Sequence, residues 1–174
     1  GSRLEITEIM KIIFKNKKPS FLRLGKCPEK DFYKKSTKLK NGKGLIVSKG
    51  RDLTIYCTGN ILENVYDAVN KVKLMGFSIN LISMPIMKPI NSQFIKSNLK
   101  SKKILTIEEN STVGGLSSII PTIFVKSFKN KIKFKSIALE DIVHNKIGDQ
   151  NYLRDINKLS VSRIYKFLIK YLNE

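Results

Sequence analysis

Residues 52–83, DLTIYCTGNILENVYDAVNKVKLMGFSINLIS, decide the fold. Asp52-Leu-Thr-Ile-Tyr-Cys57 is a short run rich in β-branched and aromatic residues, the composition of a strand. Thr58-Gly59-Asn60 then leads into a helix, because Val65, Ala68, Val69 and Val72 recur on one face and Gly76 supplies a stop. Ser78-Ile-Asn-Leu-Ile-Ser83 reads as the next strand. Strand, helix and strand in this order form the unit from which parallel sheets are built.

Working outward, Gly44-Leu-Ile-Val-Ser48 is another strand, separated from residues 52–57 by a turn at Lys49-Gly50. That spacing is too short for a crossover helix, so one edge of the sheet should be antiparallel. Downstream, a Lys-dotted segment around 91–100 predicts a short helix and Ile104-Leu-Thr-Ile107 a strand. Gly114-Gly115 opens an apolar helix over about 116–126, and Lys133 to Leu139 is a further strand. Ser160 to Tyr171 closes as an amphipathic helix, with Val161, Ile164, Phe167, Leu168 and Tyr171 on one stripe. The fold class that follows is α/β: a three-layer α/β/α sandwich on a mostly parallel five-stranded sheet with one antiparallel edge strand.

Before this unit, Ile6, Ile9, Met10 and Ile13 share one face of a helix near 4–15, which Pro19 brings to an end. Ser20 to Leu24 reads as a brief strand, and 27–43 as a polar, basic linker. Gly1-Ser2 has the look of a residual tag and is set aside.

Composition narrows the function. The 174 residues hold 33 Lys+Arg against 14 Asp+Glu, a net charge of +19, with one His and two Cys. The longest mostly apolar stretches, such as Leu116 to Val125, are far short of the roughly 20 residues a membrane span needs. No secretory leader opens the chain, and Cys27 and Cys57 form neither a disulfide framework nor a metal-ligand spacing, so a reducing cytoplasm is the expected setting. The charge has two readings, a nucleic-acid surface or a Lys-, Asn- and Ile-rich composition. Arg, the preferred residue for forked phosphate and guanine contacts, is scarce, and the Lys residues are scattered. Composition is the favoured reading, and specific nucleic-acid binding is not expected.

Taken singly, the chemistry-bearing residues favour structural roles. Thr58-Gly59 sits where open α/β sheets place ligands, but no Gly-rich phosphate fingerprint accompanies it, and a tight turn accounts for it. Gly114-Gly115 allows close backbone approach, to a phosphate or to a neighbouring strand, with packing favoured. Glu108-Glu109 follows a buried-looking strand; neighbours there point to opposite faces, so a structural role outweighs a paired catalytic one. His144 has no nucleophile near it in sequence, and neither cysteine has an evident activating partner. No catalytic centre assembles from these residues.

Their order nevertheless resembles the C-terminal domain of transketolases. The resemblance rests on Gly50-Arg-Asp-Leu-Thr-Ile-Tyr-Cys-Thr-Gly59 with Gly76-Phe-Ser-Ile-Asn-Leu-Ile-Ser-Met84, on Met87-Lys-Pro-Ile-Asn91, and on Ile104-Leu-Thr-Ile-Glu-Glu-Asn110 followed by Gly114-Gly-Leu-Ser117. Leu139-Glu-Asp141, Gly148, Leu153 and Leu159-Ser160 with Ile164 complete it. It implies a domain over 44–174, with residues 3–26 as the last helix and strand of a preceding pyrimidine-binding domain and 27–43 as the linker. It also implies that Lys26 stands where the family usually has an Arg contacting the substrate phosphate; a Lys can neutralise a phosphate without forking onto it. Ser117 replaces a family Gly, with Ser118 in the small position after it.

Related enzymes use thiamine diphosphate and a divalent metal, held by a pyrimidine and a diphosphate domain whose key residues this chain lacks. The resemblance therefore implies the non-catalytic C-terminal part of an enzyme transferring a ketol unit between sugar phosphates. This chain alone would be inactive, binding neither cofactor nor metal, and would serve packing against the upstream domains or a partner subunit and homodimerisation. The Glu108-Glu-Asn110 wording also resembles deoxyxylulose-phosphate synthase, and the β subunit of 2-oxo-acid dehydrogenases shares the fold that the resemblance implies. A stand-alone basic module is the reading from a different class.

Overall fold

The computed structural model describes residues 1–25, 30–33, 37–125, 132–142 and 145–174. Five strands, β1 (Leu45–Ser48), β2 (Leu53–Thr58), β3 (Ile79–Ser83), β4 (Lys103–Ser111) and β5 (Lys133–Leu139), form one sheet in the order β1-β3-β2-β4-β5. The helices are α1 (Arg3–Asn16), α2 (Leu62–Lys73), α3 (Ser92–Ser97), α4 (Leu116–Val125), α5 (Gln150–Ile156) and α6 (Val161–Asn173).

Alternation along the strands splits the core in two. Leu53, Ile55 and Cys57 of β2, with Leu105 and Ile107 of β4, face α2 and α6, joining Val65, Val69, Ile164 and Leu168. Tyr56, Ile82 and Ile104 face the other way, against Ile95 of α3 and Leu116, Ile120 and Phe124 of α4. β2 and β3 are buried on both faces, as strands inside a helix-covered sheet must be. Burying each large aliphatic side chain contributes about 1.5–3 kcal/mol. The buried Tyr56 hydroxyl donates to the Ile95 carbonyl at 2.8 Å, whereas the buried Ser83 and Thr106 hydroxyls have no hydrogen-bond partner among the described residues.

The three-layer sandwich and its antiparallel edge are as the sequence predicts, but the neighbour differs. β1 pairs antiparallel with β3, not with β2, and β3 pairs parallel with β2. The short 49–52 connection therefore steps across β3 instead of closing a hairpin, and the Arg51 and Asp52 N–H groups both donate to the Ser78 carbonyl. Ser20–Leu24 is not a strand here; it runs outside the sheet. β4 is longer than predicted, so Glu108 and Glu109 lie within it. Helix α5 is an addition to the elements the sequence predicts; Asp149 caps it, accepting from the Tyr152 N–H at 2.8 Å.

Helix α1 relates to this body through its first turns. Ser2 accepts from the Glu5 N–H as the N-cap, and Glu5 is the helix's one fully buried residue. Leu4 N–H donates to Asp31, and Leu39 N–H to Glu8, so Asp31 and Leu39 tie down one side of the helix. The stripe of Ile6, Ile9, Met10 and Ile13 is only partly covered.

Candidate functional site at the carboxyl edge of the sheet

Ligands of open α/β sheets collect where parallel strands end and helices begin. Here that edge brings together Thr58-Gly59 after β2, Ser83 at the end of β3, Glu108 and Glu109 near the end of β4, and the start of α1. Glu108 is fully buried on the α4 side. Its carboxylate accepts from the Leu116 N–H at 2.9 Å, the Ser117 N–H at 2.8 Å and the Ser117 hydroxyl at 2.9 Å. The anion-seeking N-terminus of α4 is thus filled by the protein's own carboxylate. A Cβ on Gly115 would fall 2.1 Å from Glu108 Oε2, so the glycine is there to let the backbone close over that carboxylate. Gly114 turns with φ +82°, and Ser118 donates to the Thr112 carbonyl while accepting from the Gly114 N–H.

Glu109 points to the opposite face, as the sequence predicts for neighbours on a strand, and pairs with Arg154 of α5: Nε donates to Oε1 at 2.6 Å and Nη2 to Oε2 at 2.8 Å. Arg154 is 8% exposed, so this forked pair anchors α5 over the end of β4. Sequence reasoning missed Arg154, because the partner lies 45 residues away.

At β2, Thr58 donates its hydroxyl to the Met84 carbonyl at 2.8 Å, and Gly59 takes φ +81° in the turn into α2. The Gly59 carbonyl accepts from Leu62 N–H, which makes this the tight turn the sequence favoured. Beside it, Glu5 accepts from the Tyr33 hydroxyl at 2.6 Å. Burial and the neighbouring Glu5 carboxylate push the Tyr33 hydroxyl far above its usual range. Cys57 is fully buried, and burial pushes its thiol up as well, the opposite of an activated nucleophile. Glu5 and Tyr33 carried no sequence signal, since their pairing needs the linker to fold back.

These residues do not form a cradle for a cofactor diphosphate. The α4 N-terminus is occupied by Glu108, and the Gly59 carbonyl is taken by the Leu62 N–H. No group of three metal-ligating side chains converges among the described residues. Lys26, Cys27 and His144 lie outside the described residues. No helix among the described residues is long and apolar enough to cross a membrane.

Comparison with known proteins places the arrangement. The transketolase C-terminal domain family matches residues 42–156. A transketolase C-terminal section of Methanocaldococcus jannaschii is 29% identical over 137 residues, 77% of this chain and 42% of that protein. One of the subunits of the apulose-4-phosphate transketolase of Phocaeicola vulgatus is 26% identical over 141 residues, 79% of this chain and 44% of that one. The 1-deoxy-D-xylulose-5-phosphate synthase of Psychromonas ingrahamii is 29% identical over 140 residues, 79% of this chain but 21% of the synthase. This chain therefore spans less than half the length of each of these relatives. A split-gene transketolase solved as an inactive beta4 tetramer superposes with a TM-score of 0.88 at 19% identity, over 99% of this chain and 56% of the other. From the matched family model, the order of the strands and the course of the chain, this protein belongs to the transketolase C-terminal domain family.

Proposed function

We propose that this chain is the C-terminal, non-catalytic part of a thiamine-diphosphate-dependent, transketolase-like enzyme that transfers a ketol unit between sugar phosphates. The observation that carries this reading is an unfinished surface. The α1 stripe of Ile6, Ile9, Met10 and Ile13 is partly covered, residues 20–24 lie outside the sheet, and Phe21 and Leu24 are 92% and 55% exposed. Apolar groups presented this way suit burial against a further folded unit. Residues 3–26 are then the final helix and strand of the pyrimidine-binding domain, 27–43 the linker and 44–174 the C-terminal domain. The backbone of 20–24 would pair with a sheet supplied by the upstream part, whether in the same polypeptide or in a partner subunit. Lys26, next to that segment, is the group assigned to the substrate phosphate.

The carboxyl edge supports the non-catalytic half of the proposal, because Glu108 and Glu109 are both consumed by structural contacts and Cys57 is buried. The thiamine cofactor and its metal would be held by the upstream part and would supply the carbanion chemistry there. This domain would bury the back of the pyrimidine domain and add to a homodimer in the cytoplasm. The relatives named as a subunit of a transketolase and as a split-gene transketolase support a division of the enzyme between chains.

The test is reconstitution. The 174-residue chain alone should show neither thiamine diphosphate binding by calorimetry nor ketol transfer. Combined with the polypeptide that carries the pyrimidine and diphosphate domains, it should form an active complex that F21S/L24S weakens. Turnover by this chain alone overturns the proposal.

A further inference from the structure

The opposite, amino edge of the sheet carries an arrangement that the family assignment leaves unused. Lys103 of β4 and Lys133 of β5 stand directly opposite each other across the parallel ladder, with Lys135 two residues on. Alternation puts all three on the α6 side, the side of Leu105, Ile107 and Ile137. Like charges at directly opposed positions oppose folding. Part of that repulsion is offset at the end of α6. Lys103 Nζ donates to the Tyr171 and Leu172 carbonyls at 3.2 and 2.6 Å, Lys133 Nζ donates to the Glu174 main-chain oxygen at 3.0 Å, and Lys135 pairs with the Glu174 carboxylate. Lys103 and Lys135 also approach the Tyr171 ring, at 6.0 and 4.8 Å from its centroid.

Three more ammonium groups extend this cluster without adding partners of opposite charge. Lys100 and Lys102 lead into β4, Lys170 lies in the last turn of α6, and all three are exposed. The Lys133 N–H donates to the Lys102 carbonyl, which brings the two segments side by side. The carboxylates among the described residues that these contacts bring in are Glu174, paired with Lys135, and Asp52, which accepts from the Ser78 N–H at 2.6 Å. Positive charge is therefore in excess along a strip that crosses from the α3–β4 connection to α6.

We infer that this amino-edge strip binds the phosphate backbone of nucleic acid without reading its sequence. The charges lie along an edge on several elements instead of closing a pocket, which suits an extended polyanion. These cations are all lysines, which do not fork onto base edges. Of the rings beside them, Tyr171 is 1% exposed and offers no face for base stacking, and Phe167, its centroid 5.9 Å from Lys135 Nζ, is partly buried against the core. Lysine point charges contacting phosphates give affinity that depends on salt and not on sequence.

The test compares two variants with the same change in net charge. K100E/K102E/K170E alters the strip, and K15E/K18E/K40E alters exposed lysines around α1 and the linker. Anisotropy of a labelled DNA duplex of about 20 base pairs is read between about 50 and 200 mM salt. The strip variant should bind at least about 10-fold more weakly and the control variant less than about threefold. Because each phosphate contact contributes about 0.9 to the slope of log affinity on log salt, K100A/K102A/K170A should flatten that slope by roughly 2.7. All variants are checked for native circular dichroism and thermal unfolding; the alanine variant serves if the glutamate variant does not fold. Equal losses in both glutamate variants would show charge alone at work and overturn the inference. So would an unchanged salt slope, or competition by polyglutamate as effective as that by DNA of equal charge.

Discussion

Glu108 accepts two hydrogen bonds from Ser117, one from its backbone N–H at 2.8 Å and one from its hydroxyl at 2.9 Å. The position at which many α/β domains hold a ligand's phosphate is thereby closed by a carboxylate of the same chain. A glycine-rich turn into a helix is read as a ligand site only when nothing internal fills it, and here something does.

Gly115→Ala puts a methyl group 2.1 Å from Glu108 Oε2. Crowding of this kind costs about 1–3 kcal/mol. Urea unfolding should show that loss in the single variant, and a smaller loss for the same change made in an E108A background, where the methyl group has room. Equal losses in both backgrounds would break the link between the two residues.

Arg154→Ala and Glu109→Ala each remove half of a forked pair whose arginine is 8% exposed and whose carboxylate is partly open to solvent. With that exposure discounted, each single change should cost about 2 kcal/mol, between the surface and buried limits. The double variant should lose less than the sum of the singles, as contacting residues do. Strict additivity, measured by denaturant unfolding, would show that the pair contributes no coupling.

Alkaline pH should unfold the protein through several buried groups acting in one direction. Burial pushes the Tyr171 hydroxyl up from 10.0 to about 12, and raises the Tyr33 and Tyr56 hydroxyls and the Cys57 thiol as well. Each folded-state pKa lies above its unfolded value, so the unfolded chain releases protons first. Stability is complete below about pH 8.5 and falls as pH rises through the ordinary thiol and phenol ranges towards about 12. Unfolding midpoints measured from about pH 8 to about pH 11 should decline steadily. In the native state at about pH 9, Cys57 should react with a thiol reagent only as fast as the protein opens; immediate reaction would contradict its burial.

Phe21→Ser should leave the stability of the chain itself within about 0.5 kcal/mol, because the ring is 92% exposed and makes no core contact. Leu105→Ala, fully buried between β2 and β5, should cost about 2–5 kcal/mol. The proposed docking role predicts the reverse order for assembly: Phe21→Ser should impair reconstitution more than it impairs folding.

The strands and the two long helices of the main body were legible because their signals are local. The β2 and β3 runs are short and apolar, the α2 stripe repeats at helical spacing, and Gly76, at φ +90°, marks the stop. The neighbour of β1 was not legible, since strand order depends on where the crossover helix delivers β3. Helix α5 is seven residues long, too short to show a period, although Asp149 is a recognisable cap. At the site, Gly115 was legible as a place of close approach, but its counterpart was not. Glu108 acquires its role only when α4 returns over the end of β4, and Glu109 only when Arg154 arrives from α5.

The most direct test of the proposed function is the mass of the species carrying residues 44–174 in its source cell, isolated under native and denaturing conditions and compared with 19.9 kDa. The proposal predicts either a much longer polypeptide or a stable complex with one that binds thiamine diphosphate. A free species of about 19.9 kDa, with no thiamine-diphosphate-binding partner, would contradict it.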